Sequence, residues 1–119
     1  MSADSKLLRI ADDGDIVEAT FAVDTIIDEA CIQEIGRDLQ AAVVERQSPR
    51  CLVNFVGVQH LSSAALGMLI DLNTTIQERD GRLALAEIEG TISDVFKITK
   101  LDRVFSIHGT AAEARAELR

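Results

Sequence analysis

The sequence predicts an α/β fold, a single domain over residues 1–119 with a mixed, mostly parallel β-sheet flanked by helices. Apolar runs typical of strands alternate along the chain with amphipathic runs typical of helices. A strand–helix–strand unit needs a crossover connection, which is right-handed and lays the two strands parallel. A chain of 119 residues, 47% of them hydrophobic, has the size and composition of a single domain with one hydrophobic core. The predicted element order is ββαβαβαβα.

The first two predicted strands, residues 7–11 and 16–23, should form an antiparallel hairpin. The Asp13-Gly14 pair between them suits a tight turn, and we expect this hairpin to be the only antiparallel part of the sheet. Asp28 is then placed to cap a first helix over residues 29–46. The apolar stripe of that helix consists of Cys31 or Ile32, then Ile35, Leu39, Ala42 and Val43.

The third predicted strand, residues 51–56, is apolar at nearly every position, which is typical of a central strand covered on both faces. A second helix follows over residues 64–79 and should end with Gly81 in the left-handed conformation. The predicted buried residues of this helix are Leu66, Leu69, Ile70, Leu72 or Asn73, and Ile76.

The last third of the chain predicts a strand, a short helix, a strand and a final helix. The strands cover residues 83–86 and 104–108, with a turn at residues 101–103 before the second. Thr91 or Ser93 should open the short helix, and Thr110 should cap the final helix over residues 111–118.

Ser62 and Ser63 lie between the third predicted strand and the second predicted helix. The first turn of a helix has backbone N–H groups without partners and the positive end of the helix dipole, which favour a serine cap and also favour a phosphate. One of the two serines is therefore expected to cap the helix. The alternative is that this junction accommodates a phosphate.

Composition argues against several classes of function. A net charge of -8, a pI near 4.6 and only 3% aromatic residues argue against nucleic-acid binding. The sequence has neither an apolar run of about 20 residues nor a signal-peptide core at its start, so we expect no membrane partner and a cytoplasmic location. Cys31 and Cys51 lie among apolar residues and are expected to be buried free thiols.

The sequence has no clear catalytic or metal-binding motif. It lacks a glycine-rich phosphate loop and any pair of Cys or His residues at ligand spacing. His60 and His108 are best explained as structural residues at strand ends. We therefore expect no catalytic residue, no metal and no cofactor.

Residues 54–70, NFVGVQHLSSAALGMLI, resemble the signature of STAS domains, the family of the anti-sigma factor antagonists. In that signature an apolar strand leads into an Asp-Ser-Ser-Gly-Leu-Gly segment. Residues 21–24 (FAVD) resemble the Gly-Glu-Leu-Asp of the family, and residues 81–85 and 95–105 resemble its fourth strand, third helix and final strand. The likeness spans almost the whole chain and implies the STAS fold.

The resemblance also implies a function without catalysis. Family members bind a kinase-type anti-sigma factor and are switched when that kinase phosphorylates a serine at the start of the second helix. Aligned on Leu66-Gly67, this serine is Ser63, with Ser62 the second choice because it replaces the aspartate of the family. The implied partner-binding residues are Asp24, Thr25, Ile27, Ser62, Ser63, Gly67, Met68 and Asp71.

Two other functions are compatible with the same fold. The chain would act either as a scaffold subunit of a larger signalling assembly or as a small-molecule-binding STAS module. The sequence does not decide between a monomer and a weak dimer. Ala64 and Ala65 also depart from the Ser and Gly of the family signature.

Overall fold

The computed structural model describes residues 2–4 and 7–119, which form a six-stranded sheet with helices on both faces. Two further short strands pair with each other in a second sheet. The strands are β1 (Ser2–Asp4), β2 (Leu8–Asp12), β3 (Val17–Phe21), β4 (Thr25–Ile26), β5 (Arg50–Asn54), β6 (His60–Leu61), β7 (Arg82–Ala86) and β8 (Ser106–His108). The helices are α1 (Glu29–Val44), α2 (Ser63–Glu78), α3 (Gly90–Ile98) and α4 (Ala111–Leu118).

The main sheet has the order β1-β2-β3-β5-β7-β8 and is mixed, as predicted. The hairpin of β2 and β3 is antiparallel, with Leu8 opposite Phe21, and Gly14 in its turn has a φ of 95°. β1 was not predicted, and it adds a second antiparallel pair, with Ala3 opposite Ile10. The expectation of a single antiparallel pair was therefore wrong, because a three-residue strand has no periodicity of its own and depends on its pairing with β2.

The centre of the sheet is β5, which lies between β3 and β7 and is buried from Cys51 to Asn54. This confirms the central strand predicted from its continuous apolar run, although the strand covers Arg50–Asn54 rather than residues 51–56. The core on one face is built with α1, α2 and α3, and α4 covers the other face. Four phenylalanines cross the larger core in an edge-to-face series, with centroid distances of 5.1, 6.1 and 6.0 Å for Phe21–Phe55, Phe55–Phe96 and Phe96–Phe105.

Side-chain caps begin α1 and α4 as the sequence predicts. The Asp28 carboxylate accepts a hydrogen bond from the Cys31 backbone N–H at 3.1 Å, and the Thr110 hydroxyl oxygen accepts one from Glu113 N–H at 3.1 Å. The prediction for α3 was wrong, because this helix begins at Gly90 and its N-cap, Glu89, makes no side-chain capping bond. Gly90 has a φ of 56°, which lets the chain turn into the helix before Thr91.

The buried face of α2 follows the prediction except at one position. Leu66, Leu69, Leu72 and Ile76 are buried, whereas Ile70 is 38% exposed. The buried stripe of α2 is centred near Leu69, and Ile70 lies about 100° further round the helix, at the side of that stripe. Of the two alternatives for the next buried position, Leu72 and Asn73, the buried residue is Leu72.

The end of α2 uses a different residue from the one predicted. Asp80, with a φ of 58°, takes the left-handed conformation instead of Gly81, and Gly81 N–H donates to the Ile76 carbonyl oxygen at 2.8 Å. Gly81 is required for a different reason. A Cβ built there would lie 2.2 Å from the Pro49 carbonyl oxygen, so only glycine fits beside that backbone.

The final strand is shorter than predicted. The turn predicted at residues 101–103 is a 3₁₀ helix, Leu101–Arg103, and β8 covers only Ser106–His108 because Val104 and Phe105 still lie in the turn after that helix. In the part of the chain that the structure describes, no helix combines the length and apolar character needed to cross a bilayer.

Candidate functional site

The loops that lead into α1 and α2 are joined by backbone hydrogen bonds. β4 and β6 pair in parallel, with Thr25 opposite His60 and Ile26 opposite Leu61. The Asp24 carbonyl oxygen accepts hydrogen bonds from the N–H groups of Gln59 (2.7 Å) and His60 (3.1 Å). The two loops therefore lie side by side at the carboxyl ends of the parallel strands, as do the site residues predicted on them. Strands of two residues have no sequence pattern, so this pairing was not predicted.

The two serines at the start of α2 differ in their surroundings. Ser62 is the N-cap, half-buried, and its Oγ accepts a hydrogen bond from Ala65 N–H at 3.2 Å. Ser63 is the first residue of the helix and is exposed. The hydroxyl of Ser62 thus stabilises the helix, and the hydroxyl of Ser63 faces solvent.

The loop before α1 contributes polar and apolar groups to the same edge. Asp24 and Thr25 are exposed, and the Thr25 hydroxyl donates to the Asp24 carboxylate at 3.2 Å. Ile27 is 55% exposed. Val56, which the sequence predicts at the end of a strand, lies in the turn after β5 and is 53% exposed. Two large apolar side chains therefore face solvent at the edge of the sheet where the parallel strands end.

The outer face of α2 extends this surface. A Cβ built at Gly67 would meet nothing within 4 Å, so the space beside the helix is open one turn after Ser63. Asp71 is exposed. Ile70, two turns after Ser63, also belongs to this surface, although the sequence predicts it buried.

Met68, one of the implied partner-binding residues, is only partly exposed. It is half-buried against the main core, and a Cβ built at Gly36 on α1 would come within 3.0 Å of its Cγ. The absence of a side chain at Gly36 therefore gives Met68 its place between the two helices. An open groove of about 820 Å³ runs along this contact, lined partly by Gly67, Met68 and Asp71.

The edge of the sheet that carries the serines is acidic. Exposed carboxylates stand at the starts of α1, α3 and α4, on Asp24, Asp28, Glu29, Glu89 and Glu113. The connecting segments 22–30, 55–64, 87–92 and 108–113 contain no Lys or Arg. Among the described residues, no group of three or more His, Cys, Asp or Glu side chains is placed to hold a metal ion.

A polar network on the α4 side of the sheet reaches the turn before the site. Arg115 pairs with Asp13 at 2.9 Å and with Glu18 at 2.6 Å. The second oxygen of Glu18 accepts from the Asn54 amide at 3.1 Å, and Asn54 Oδ1 accepts from the backbone N–H of Val56 at 2.9 Å. The network joins α4, β3 and β5 to the turn that contains Val56.

The perturbed pKa values lie away from the serines. Hydrogen bonds from Ile16 N–H first, then from Arg115 and Asp15 N–H, lower the pKa of Asp13 to about 2. Burial raises the pKa of the Cys51 thiol to about 12. Burial first, then the carboxylates of Asp28 and Glu34, raise the pKa of Cys31. Both cysteines are free thiols, with Cys31 half-buried and Cys51 buried, and neither environment favours the reactive thiolate.

Comparison with known proteins agrees with this architecture. The family model of the STAS domain matches residues 10–114. The chain belongs to the STAS domain family. A Thermotoga maritima protein assigned as an anti-sigma factor antagonist is 31% identical over 62 residues, which are 52% of this chain and only 55% of that relative.

Solved STAS structures share the fold over nearly the whole chain. An anti-sigma factor antagonist STAS domain protein from Planctomyces limnophilus superposes with a TM-score of 0.84 at 21% identity, over 94% of this chain and 97% of the other. The phosphorylated form of SpoIIAA from Bacillus superposes with a TM-score of 0.70 at 16% identity, over 94% and 99%. The STAS fold expected from the sequence is thus confirmed.

Proposed function

We propose that this STAS domain is a cytoplasmic anti-sigma factor antagonist, without catalytic activity, that binds a kinase-type anti-sigma factor and is released when Ser63 is phosphorylated. The observation that carries the proposal is the exposed hydroxyl of Ser63 at the start of α2, beside a loop held in place by the β4–β6 pair. The proposed contact surface is Asp24, Thr25, Ile27, Ser62, Ser63, Gly67, Met68 and Asp71, extended by Val56 and Ile70.

Ser63 suits phosphorylation better than Ser62 does. The Ser62 hydroxyl is half-buried and holds the helix cap, so a kinase would have to break that hydrogen bond to reach it. The Ser63 side chain is exposed, and Gly67 leaves room beside it for an approaching active site. The exposed serine is therefore the proposed acceptor, and the capping serine keeps its structural role.

A phosphate on Ser63 should change binding rather than folding. It adds about -1.5 to -2 charges, which the unpartnered N–H groups and dipole of the first turn stabilise. The neighbouring loops have no Lys or Arg to neutralise this charge when a partner covers it. Burying such a group costs several kcal/mol, and each 1.4 kcal/mol is a tenfold loss of affinity.

The proposal is tested with the purified domain and a purified kinase-type anti-sigma factor from the same organism. Titration calorimetry should show that the unphosphorylated domain binds the anti-sigma factor. In a transcription assay inhibited by that anti-sigma factor, the domain should restore transcription by releasing the sigma factor. After incubation with ATP, mass spectrometry should find phosphate on Ser63, and Ser63→Ala should abolish it. Ser62→Ala is the matched control and should still be phosphorylated. No complex, or phosphate on Ser62 alone, contradicts the proposal.

A further inference from the structure

A basic and apolar surface lies at the end of α3, far from the serines. It consists of Lys97, Ile98, Lys100, Arg103 and Val104, here called the basic patch. Ile98 is 81% exposed and Val104 is 51% exposed. Backbone hydrogen bonds from Lys100 N–H to the Lys97 carbonyl oxygen (3.1 Å) and from Arg103 N–H to the Lys100 carbonyl oxygen (3.2 Å) hold the three cations on consecutive turns.

The charges of the basic patch are not used within the fold. Lys97, Lys100 and Arg103 are exposed and make no ion pair or side-chain hydrogen bond with any described residue. By contrast, Arg115 and Arg46 both pair with carboxylates. One carboxylate, that of Asp102, lies within residues 97–104, so this segment is positive in a chain of net charge -8.

The surface at the other end of α3 is complementary in charge to the basic patch. There the acidic edge, defined as Asp24, Asp28, Glu29, Glu89 and Glu113, lies at the same edge of the sheet as the exposed Ile27 and Val56. α3 starts at that end and finishes at the basic patch, so its nine residues separate the two surfaces by about 13 Å. Each surface pairs two exposed apolar side chains with charges of a single dominant sign.

We propose that the basic patch binds the acidic edge of a second copy of this chain, head to tail. The acidic edge of a second copy offers the basic patch what it needs in a partner. It has carboxylates to pair with the cations and exposed apolar side chains to pack against Ile98 and Val104. Because the two surfaces differ, the contact is heterologous and each added copy leaves one surface open. Association should therefore continue beyond the dimer.

The contact would cover the edge that contains Ser63. If the proposed function holds, a bound anti-sigma factor and a bound second copy exclude each other at that edge, and self-association limits how much domain is available to the partner. This consequence depends on the proposed function. The self-association itself does not, and it is measured without any partner.

Sedimentation velocity over a range of protein concentrations tests the proposal. At low salt the mass should rise beyond that of a dimer, and at about 1 M salt, where the Debye length is about 3 Å, the protein should be monomeric. Two double variants separate the surfaces: Lys97→Ala with Lys100→Ala removes two charges of the basic patch, and Glu29→Gln with Glu89→Gln removes two charges of the acidic edge. Each variant alone should associate at least about tenfold more weakly than the wild type.

Mixing the two variants gives the decisive result. The first retains an intact acidic edge and the second an intact basic patch, so together they should form a one-to-one dimer that does not grow. Glu34→Gln with Glu45→Gln, on exposed positions of α1 and its C-terminal end, makes the same charge change as the acidic-edge variant and should associate like the wild type.

Three results would overturn the proposal. These are a wild type that is monomeric at every concentration at low salt, variants that associate like the wild type, and a mixture that yields no heterodimer. A monomeric protein that sediments with phosphatidylserine vesicles through Lys97 and Lys100 would assign the patch to a membrane surface instead.

Discussion

The backbone N–H of Ser62 donates a hydrogen bond to the carbonyl oxygen of Ile26, at 3.0 Å. This bond ties the residue that caps α2 to the short strand that leads into α1. Because the Ser62 hydroxyl also accepts from Ala65 N–H, one residue orients both the helix and its neighbouring loop. The position of the exposed Ser63 therefore depends on the structural role of the serine before it.

We expect the two serines to differ in their effect on stability. Ser62→Ala removes the capping bond and should cost about 0.5–2 kcal/mol of unfolding free energy. Ser63→Ala changes an exposed hydroxyl and should stay within about 0.5 kcal/mol of the wild type. Urea denaturation of both variants measures the difference, and a larger loss for Ser63→Ala would assign the cap to the wrong serine.

Adjacent residues on α2 should respond very differently to truncation. Leu69 is fully buried, so Leu69→Ala should cost about 2–5 kcal/mol. Ile70 is 38% exposed, and Ile70→Ala should cost about 1 kcal/mol or less. Asp71→Ala, at an exposed position, should stay within about 0.5 kcal/mol. Guanidinium chloride melts would show equal losses at Leu69 and Ile70 if the helix were rotated from the orientation described.

The sequence predicts well what depends on neighbouring residues. The cap at Asp28 and the buried stripe of α1 at Ile32, Ile35, Leu39 and Val43 follow directly from local spacing. What it missed depends on contacts between distant residues. β1 depends on β2, and the β4–β6 pair depends on two loops that only the fold brings together.

Two errors show why a residue type alone does not reveal its role. Gly81 was expected to supply a left-handed conformation, yet it is needed because Pro49 lies against it, a contact invisible in the sequence. Val56 was placed within a strand because its apolar character continues that of β5, yet the turn from Phe55 to Val58 carries it to the surface. Site residues on turns are therefore the least predictable part of this surface.

Two glycines should give opposite results when changed to alanine. At Gly67 a Cβ meets nothing within 4 Å, so Gly67→Ala should stabilise α2 by roughly 0.5–1 kcal/mol. At Gly81 the added Cβ would lie 2.2 Å from the Pro49 carbonyl oxygen, so Gly81→Ala should lower the melting temperature clearly. The same Gly67→Ala protein should bind the anti-sigma partner more weakly, and unchanged binding would place the interface elsewhere.

The pH dependence of stability should include a contribution from Asp13. Its pKa is lowered from 3.8 to about 2 in the folded protein, so folding favours its charged form. This stabilisation is complete above about pH 4 and is lost as the pH falls towards 2. Carbon-detected NMR titration of the Asp13 carboxyl measures the pKa directly, and Asp13→Asn should flatten the stability profile in that range.

The same NMR titration tests which contact lowers the pKa of Asp13. The hydrogen bond from Ile16 N–H is the largest contribution and that from Arg115 the second, so Arg115→Gln should raise the pKa only part of the way back. A complete return to about 3.8 would instead make the ion pair with Arg115 the dominant cause. Asp15→Asn, which leaves both bonds in place, is the control.

The phosphorylation switch gives the sharpest expectation for the site. A carboxylate at position 63 places negative charge at the first turn of α2, where the helix dipole stabilises it. Ser63→Asp should therefore leave the melting temperature within a few degrees of the wild type.

Binding should respond differently from stability. When a partner packs over residue 63, the added negative charge is buried, and the neighbouring loops have no Lys or Arg to neutralise it. Calorimetric affinity for the anti-sigma factor should fall at least about tenfold, a change of about 1.4 kcal/mol. Ser63→Ala, as the neutral control, should bind normally and resist phosphorylation. A Ser63→Asp domain that binds as tightly as the wild type would rule out Ser63 as the switch.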